Sequence, residues 1–167
     1  MTNKVLKFIF LIAILAIPVI IFLFLKSYGD NRFDIPYYYT RGGISEFPDC
    51  SYPQDTFRVA MNNKNNKRAN VTLFFSENNE FTSTDLVNTR SRLQALFRDN
   101  FSFVAHGFNA TMDSASFMKL MHCGFVTDTV NQFILHDDRG IIRGYYKTDL
   151  EELDRLIVET KILLENE

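Results

Sequence analysis

Residues 133–146 read FILHDDRGIIRGYY, and residues 148–164 continue as TDLEELDRLIVETKILL. The first stretch holds two apolar runs joined by the short polar turn DDRG, a pattern typical of a β-hairpin. The second stretch predicts a helix that begins at Asp149, with Glu151 and Glu152 in its first turn, where acidic side chains complement the helix dipole. A hairpin and an amphipathic helix are therefore predicted to end the chain.

Apolar residues at helical spacing predict that this last helix buries one face, formed by Leu150, Leu153, Leu156, Ile157, Leu163 and Leu164. Upstream, residues 71–75 (VTLFF) have the composition of a buried strand. Residues 82–85 (TSTD) fit a capping box, which predicts a helix with a shared face of Leu86, Leu93, Leu96 and Phe97. Phe101, Phe103 and Ala105 alternate with polar or small residues in a second predicted strand.

The predicted order of elements is β-α-β-α-β-β-α, which is the order of a thioredoxin-like core. We therefore predict an α/β fold, a thioredoxin-like mixed sheet with flanking helices, preceded by one transmembrane helix. The predicted strands cover residues 70–75, 101–106, 131–136 and 141–146, and the predicted helices cover residues 84–99, 114–121 and 149–165.

The length and charge of the chain limit the possible functions. A chain of 167 residues is long enough for one domain with a sizeable core. Of its 18 Lys and Arg, three (Lys4, Lys7 and Lys26) flank an N-terminal apolar run and 15 follow it, against 20 Asp and Glu. The net charge beyond residue 26 is therefore −5, which excludes nucleic acid as an expected partner.

Residues 8–25 form that apolar run, in which no side chain is charged or polar. As a helix it spans about 27 Å, close to the thickness of the bilayer's hydrocarbon core. A cleaved signal peptide would have a shorter apolar region and a small-residue cleavage site after it. Lys4 and Lys7 favour a cytoplasmic N-terminus, although Lys26 and Arg32 on the other flank weaken this inference. We predict a single-pass anchor in the cell inner membrane with the following domain on the periplasmic side.

Three segments follow from these patterns: an anchor (1–26), a stalk with an N-terminal extension (27–69), and the thioredoxin-like domain (70–167). The stalk holds Pro36, Pro48, Pro53 and the pair Gly42-Gly43, and it is predicted to lie partly on the domain. Its tyrosine cluster at 37–39 fits packing or a membrane-interface belt, with a recognition surface as the alternative.

The hairpin sequence FILHDDRGIIRGYY resembles the signature hairpin of the SCO/SenC family, and TDLEELDRLIVETKILL resembles its C-terminal helix. An N-terminal anchor and a short linker also fit the layout of that family. Its members are membrane-anchored, thioredoxin-like proteins that deliver copper or thiol chemistry to subunit II of cytochrome oxidase. The resemblance implies a place near respiratory oxidase biogenesis, with oxidase subunits or assembly factors as partners.

The chain departs from that family at the functional site. The resemblance places the family's CxxxC pair near Asn78 and Thr82, and its copper-binding histidine at about Thr129. Amide and hydroxyl groups hold copper poorly compared with thiolate and imidazole. We therefore predict no cofactor, no enzymatic activity and a binding or assembly role.

Cys50 and Cys123 are the only cysteines of the chain. In an oxidising compartment they are candidates for a structural disulfide that closes a long loop. Two free buried thiols, or one reactive thiol, are the alternatives at this stage.

Met118, Met121, His122 and Cys123 form the one cluster of soft ligands in the sequence. The spacing of Met118, Met121 and His122 places them on one helix face. The alternative function is therefore a copper chaperone that uses a relocated site at Met121, His122 and Cys123. Methionine at helical spacing is also typical of a hydrophobic core. His106 and His136 are expected to be ordinary strand residues, and the pair Asp137-Asp138 is expected to form a turn.

Overall fold

The computed structural model describes residues 2–28, 34–42, 44–59, 67–76, 82–107 and 113–166. The chain divides into two compact units, residues 1–33 and residues 34–167. In the first unit, helix α1 covers Thr2–Tyr28 and contains Pro18. Within the described residues, no helix combines the length and the apolar character needed to cross a membrane.

Within the described residues, the second unit contains seven strands and α-helices in the predicted order. They are β1 (Ala69–Phe75), α2 (Ser83–Phe97), β2 (Phe101–Gly107), α3 (Ser114–Lys119), β3 (Gln132–Asp137), β4 (Ile142–Lys147) and α4 (Leu150–Asn166). A 3₁₀ turn (Arg98–Asn100) follows α2, and a π-helical turn (Leu120–Gly124) follows α3.

The four strands form one mixed sheet in the order β2-β1-β3-β4. Strand β1 runs parallel to β2 and antiparallel to β3, and β3 pairs with β4 in an antiparallel hairpin. This order and these directions are those of a thioredoxin-like sheet. The predicted fold is confirmed at this level, since four strands and three helices lie within two residues of the predicted positions.

Each face of the sheet carries its own hydrophobic core, because successive side chains of a strand point to opposite faces. Phe133 and Leu135 of β3 contribute to the first core, and Ile134 contributes to the second. The first core also buries one face each of α2 and α4, through Leu93, Leu153, Leu156 and Leu163. The second core buries α3 and its π-helical turn, through Phe117 and Met121. The sheet therefore lies between two layers.

Residues 34–59, which we call the N-terminal arm, complete both cores. Ile35 belongs to the first core, and Phe57 and Val59 belong to the second. Backbone hydrogen bonds join the arm to the hairpin, from Tyr38 N–H to the Ile142 carbonyl (3.0 Å) and from Val59 N–H to the Gly140 carbonyl (2.8 Å). The segment predicted as a stalk thus includes residues that pack within the second unit.

The hairpin turn is held by Asp137, whose side chain is 1% exposed. Its Oδ1 accepts hydrogen bonds from the backbone N–H groups of Arg139 (3.0 Å) and Ile141 (2.8 Å). Its Oδ2 lies 3.5 Å from the buried guanidinium of Arg143. Gly140 has a φ of +77°, and a Cβ there would lie 2.8 Å from the Val59 carbonyl oxygen. Asp137 and Asp138 therefore form a turn, as their sequence suggested.

Several side chains lie elsewhere than their periodicity predicted. Leu96 and Leu150 are predicted on buried helix faces, but they are 54% and 76% exposed, and each lies in a terminal turn of its helix. Ala105 is also exposed. Met118 and Met121, which are predicted to share a helix face, differ in burial: Met118 is 40% exposed and Met121 is fully buried. A π-helical turn has more residues per turn than an α-helix, so the α-helical spacing does not hold there.

Candidate functional site

The connection from β1 to α2 is where the family resemblance places the thiol pair. Thr82 is the N-cap of α2, and its hydroxyl accepts a hydrogen bond from Asp85 N–H (3.3 Å) and donates one to Asp85 Oδ2 (2.6 Å). Asp85 Oδ2 also accepts from Thr82 N–H (3.0 Å), and these hydrogen bonds from Thr82 lower the pKa of Asp85. Thr82 therefore caps the N-terminus of α2. Asn78, the other position that the resemblance indicates, lies outside the described residues.

The loop before β3 is where the resemblance places the copper-binding histidine. Thr129 is exposed, its N–H donates to Thr127 Oγ1 (3.2 Å), and its hydroxyl donates to Asp128 Oδ1 (3.1 Å). Asn131, with a φ of 56°, joins this loop to the end of β1: its N–H donates to the Phe74 carbonyl (2.7 Å), and its Oδ1 accepts from Ser76 N–H (3.1 Å). Hydroxyl and amide groups at these positions do not suit copper.

Cys50 of the arm and Cys123 of the π-helical turn form a disulfide, with their Cα atoms 5.3 Å apart. The sequence left three possibilities open, namely a disulfide, two free buried thiols or one reactive thiol, and the structure contains the disulfide. The Phe47 ring stacks on the His122 ring next to it, with centroids 4.2 Å apart, and the Tyr52 hydroxyl donates to the His122 carbonyl (2.7 Å). The disulfide therefore fastens the arm to the π-helical turn.

The structure does not bring Met121, His122 and Cys123 together as ligands. Met121 is fully buried in the second core, and the Cys123 sulfur is bonded to Cys50. His122 faces Phe47, and its buried Nε2 has no hydrogen-bond partner among the described residues. In the same described part of the chain, no three His, Cys, Asp or Glu side chains are grouped so that they could hold a metal ion.

His106 and His136 both lie in strands, as expected. His106 stacks on Phe74 with ring centroids 5.3 Å apart, and burial lowers its pKa. His136 lies in β3 with its Nε2 3.3 Å from Thr72 Oγ1, and burial lowers its pKa to about 4. His136 is thus a neutral core residue at physiological pH.

A surface groove of about 480 Å³ lies beside the disulfide region. We call it the aromatic–acidic groove, and its lining residues are Tyr39, Glu46, Phe47, Val126, Thr127, Asp128, Gln132 and Tyr145. Three segments supply these residues: the arm, the loop between α3 and β3 with the start of β3, and β4. Sequence reasoning missed the groove because no local motif joins the arm to segments about 80 or more positions later.

Polar contacts fix several walls of the aromatic–acidic groove. The Tyr145 hydroxyl donates to the Phe125 carbonyl (2.9 Å), and the Tyr39 hydroxyl donates to Glu46 Oε2 (3.3 Å). Thr127 Oγ1 donates to Gln132 Oε1 (2.7 Å). Burial raises the pKa of Tyr39 and of Tyr145, and the negative charge of Glu46 raises both further. Both tyrosines are therefore neutral phenols at physiological pH.

A second cavity, of about 310 Å³, is lined by Phe47 and by both cysteines of the disulfide. Its lining includes both cysteines, His122 and one cation, Lys119. Cys50 and Cys123 are half-buried, so the bond is partly accessible. The arrangement places a disulfide, and not a thiol, at the surface of the second unit.

No protein-family model matches this chain, and no curated protein matches it either. Two solved structures are similar to it. One is the solution structure of a thioredoxin-like protein in the oxidised form, with 12% identity and a TM-score of 0.40, covering 59% of this chain and 80% of the other. The second is the crystal structure of Trgpx in its apo form, with 14% identity and a TM-score of 0.40, covering 62% of this chain and 92% of the other. Similarity this low carries no information about function.

Proposed function

We propose that this protein is a thioredoxin-like binding module without a thiol-redox or copper site, acting as a binding or assembly factor in respiratory cytochrome oxidase biogenesis. One observation carries the non-redox part of the proposal. Both cysteines of the chain are used in the Cys50–Cys123 disulfide, between the arm and the π-helical turn. The β1–α2 connection, where thioredoxin-like redox pairs lie, contains no cysteine in the sequence.

The connection with cytochrome oxidase rests on the sequence resemblance to the SCO/SenC family. The residues that carry the resemblance form the β3–β4 hairpin and α4. In that family the same fold presents copper or thiols to an oxidase subunit. A chain with Thr82 and Thr129 at the ligand positions keeps the scaffold and lacks those ligands, which supports partner binding over catalysis.

We also propose that residues 8–25 hold the chain in the cell inner membrane, with residues 34–167 on the periplasmic side. This part rests on the sequence, in which 18 consecutive apolar residues follow Lys4 and Lys7. An oxidising periplasm is also a compartment in which a Cys50–Cys123 disulfide persists.

The copper-chaperone alternative, with a site at Met121, His122 and Cys123, requires two changes to the structure. The disulfide must be reduced to supply a thiolate from Cys123, and Met121 must leave the second core. The side-chain positions therefore favour the binding module.

A pull-down of the full-length chain from native membranes tests the proposed function. The matched control is a chain in which an unrelated domain replaces residues 34–167 after the same α1 segment. We expect oxidase subunits or their assembly factors to be enriched with the full-length chain over this control. Equal recovery with both chains would contradict an assembly role.

A further inference from the structure

The aromatic–acidic groove has an unusual combination of walls. Tyr39, Phe47 and Tyr145 provide aromatic rings, and Glu46 and Asp128 provide exposed carboxylates at the same opening. Among the described residues that line the groove there is no lysine, arginine or histidine. Aromatic faces attract cations through the ring quadrupole, and nearby carboxylates add a charge-assisted hydrogen bond. The lining therefore favours a positively charged ligand.

The carboxylates of the groove are available for such a ligand. The Glu46 carboxylate accepts a hydrogen bond from the Tyr39 hydroxyl at 3.3 Å, and the Asp128 carboxylate accepts one from the Thr129 hydroxyl at 3.1 Å. A carboxylate has about four lone-pair positions, so each keeps capacity for a further donor. Burial raises the pKa of Tyr52, and the negative charge of Glu46 raises it further.

Two residues of the groove have a backbone conformation that side chains disfavour. Tyr39 and Val126 have φ values of 55° and 53°. A β-branched residue at positive φ is a true outlier, and such strain concentrates at binding and catalytic sites. The surrounding contacts hold Val126 in place: its N–H donates to the His122 carbonyl (3.1 Å), and its carbonyl lies 3.4 Å from the Tyr145 hydroxyl. The strained backbone is thus fixed at the wall of the groove.

The size of the groove indicates what it can hold. Its volume of about 480 Å³ falls in the range of about 300–1,000 Å³ typical of ligand sites. It has room for a cationic side chain with the neighbouring backbone of a peptide. The net charge of −5 beyond residue 26, counted from the sequence, would attract a basic segment toward this surface.

We propose that the aromatic–acidic groove binds a cationic side chain of a partner polypeptide, with arginine preferred over lysine. A planar guanidinium can stack on Tyr145 or Phe47 while it donates two hydrogen bonds to a carboxylate, which a lysine ammonium cannot do. Arg143 shows this stacking elsewhere in the same unit, with its guanidinium carbon 3.6 Å from the centroid of the Tyr37 ring. This inference rests on the proposed binding role and names the chemistry of the partner.

The test is a calorimetric titration of the full-length chain in a non-ionic detergent with the peptide acetyl-Gly-Gly-Arg-Gly-Gly-amide. The same peptide with citrulline in place of arginine is the neutral control, and a lysine peptide tests the preference. We expect the arginine peptide to bind at least about fivefold more tightly than the citrulline peptide. Binding should also weaken as the salt concentration rises.

Substitutions in the groove locate the site. Glu46→Gln and Asp128→Asn should each weaken binding of the arginine peptide by about threefold to tenfold. Asp55→Asn, which removes one exposed carboxylate of the arm outside the groove, is the matched control and should leave binding unchanged. Circular dichroism of each variant should match that of the parent chain, because all three side chains are exposed.

Three results would overturn the proposal: equal binding of the arginine and citrulline peptides, tighter binding of the lysine peptide, or equal effects of Glu46→Gln and Asp55→Asn. These results are separate from those that test the proposed function. Enrichment of oxidase proteins in the pull-down together with no arginine binding would contradict the proposed ligand of the groove and support the assembly role. Arginine binding without such enrichment would contradict the assembly role and support the proposed ligand of the groove.

Discussion

Cys50 and Cys123 are 73 positions apart in sequence and are bonded to each other, so that the arm is covalently tied to the turn after α3. The ring stack between Phe47 and His122 lies at the same junction. The bond therefore helps to hold two walls of the aromatic–acidic groove, since Phe47 comes from the arm and Val126 follows the π-helical turn. We therefore assign a structural role to the Cys50–Cys123 disulfide.

Removal of the disulfide should destabilise the second unit. Closing a loop of this length lowers the entropy of the unfolded chain, and the expected loss for Cys50→Ser/Cys123→Ser is about 4 kcal/mol. Urea unfolding followed by tyrosine fluorescence measures the change, because the chain has seven Tyr and no Trp. Dithiothreitol should produce a similar loss in the parent chain and none in the double variant. A double variant as stable as the parent would contradict the structural role.

Asp137 should be far more important for stability than its neighbour Asp138. Asp137→Ala removes two charge-assisted hydrogen bonds of the hairpin turn and a carboxylate 3.5 Å from the buried Arg143 guanidinium, with an expected cost of about 3–5 kcal/mol. Asp138→Ala is the matched control, with an expected change within about 0.5 kcal/mol. Denaturant unfolding of both variants gives the comparison. Similar losses of unfolding free energy in the two variants would contradict a stabilising role for the hydrogen bonds that Asp137 makes in the turn.

His136 should make the folded state sensitive to acid. Burial lowers its pKa to about 4 in the folded state, compared with about 6.5 in the unfolded chain. The unfolded state therefore binds the proton first, and stability falls as the pH decreases from about 6.5 to about 4. His106, whose pKa burial also lowers, acts in the same direction.

The variant His136→Gln tests this contribution, because glutamine can still hydrogen-bond Thr72 but does not titrate. The free energy of unfolding of the parent chain should decrease by about 3 kcal/mol more than that of the variant between pH 7 and pH 4. Parallel pH profiles for the two chains would exclude His136 as the group responsible. The part of the acid sensitivity that comes from His106 should remain in the variant.

The proposed membrane topology predicts the location of the C-terminus. A reporter fused after Glu167 that is active only outside the cytoplasm should show activity, because the apolar residues 8–25 follow Lys4 and Lys7. A fusion with a reporter that is active only in the cytoplasm should stay inactive. Cytoplasmic activity would reverse the proposed orientation.

Sequence patterns predicted the hairpin and its flanking elements well, and the reasons are local. The DDRG turn and the acidic first turn of the last helix are short-range signals, so the helix predicted over residues 149–165 lies at Leu150–Asn166. The capping box at Thr82 is present with both of its hydrogen bonds. Periodicity was less reliable in the terminal turns of the helices, where Leu96 and Leu150 are exposed.

The candidate site was far less predictable than the fold. The π-helical turn at Leu120–Gly124 has no signature in the sequence, and it begins between the exposed Met118 and the buried Met121. The prolines of the arm predicted a loop or stalk. They did not indicate that Phe57 and Val59 belong to the second core. The aromatic–acidic groove depends on contacts between the arm and segments about 80 to 105 positions later in the chain, which only the folded chain reveals.

A titration of the full-length chain with Cu(I) tests the central claim most directly, because copper binding separates a binding module from a copper chaperone. The positions implied by the resemblance hold Thr82 and Thr129, and Cys123 is oxidised. We expect no one-to-one binding tighter than about micromolar, the level that scattered surface His and Met side chains reach. Tight stoichiometric binding that is lost in His122→Ala or Cys123→Ser would contradict the account and establish a relocated copper site.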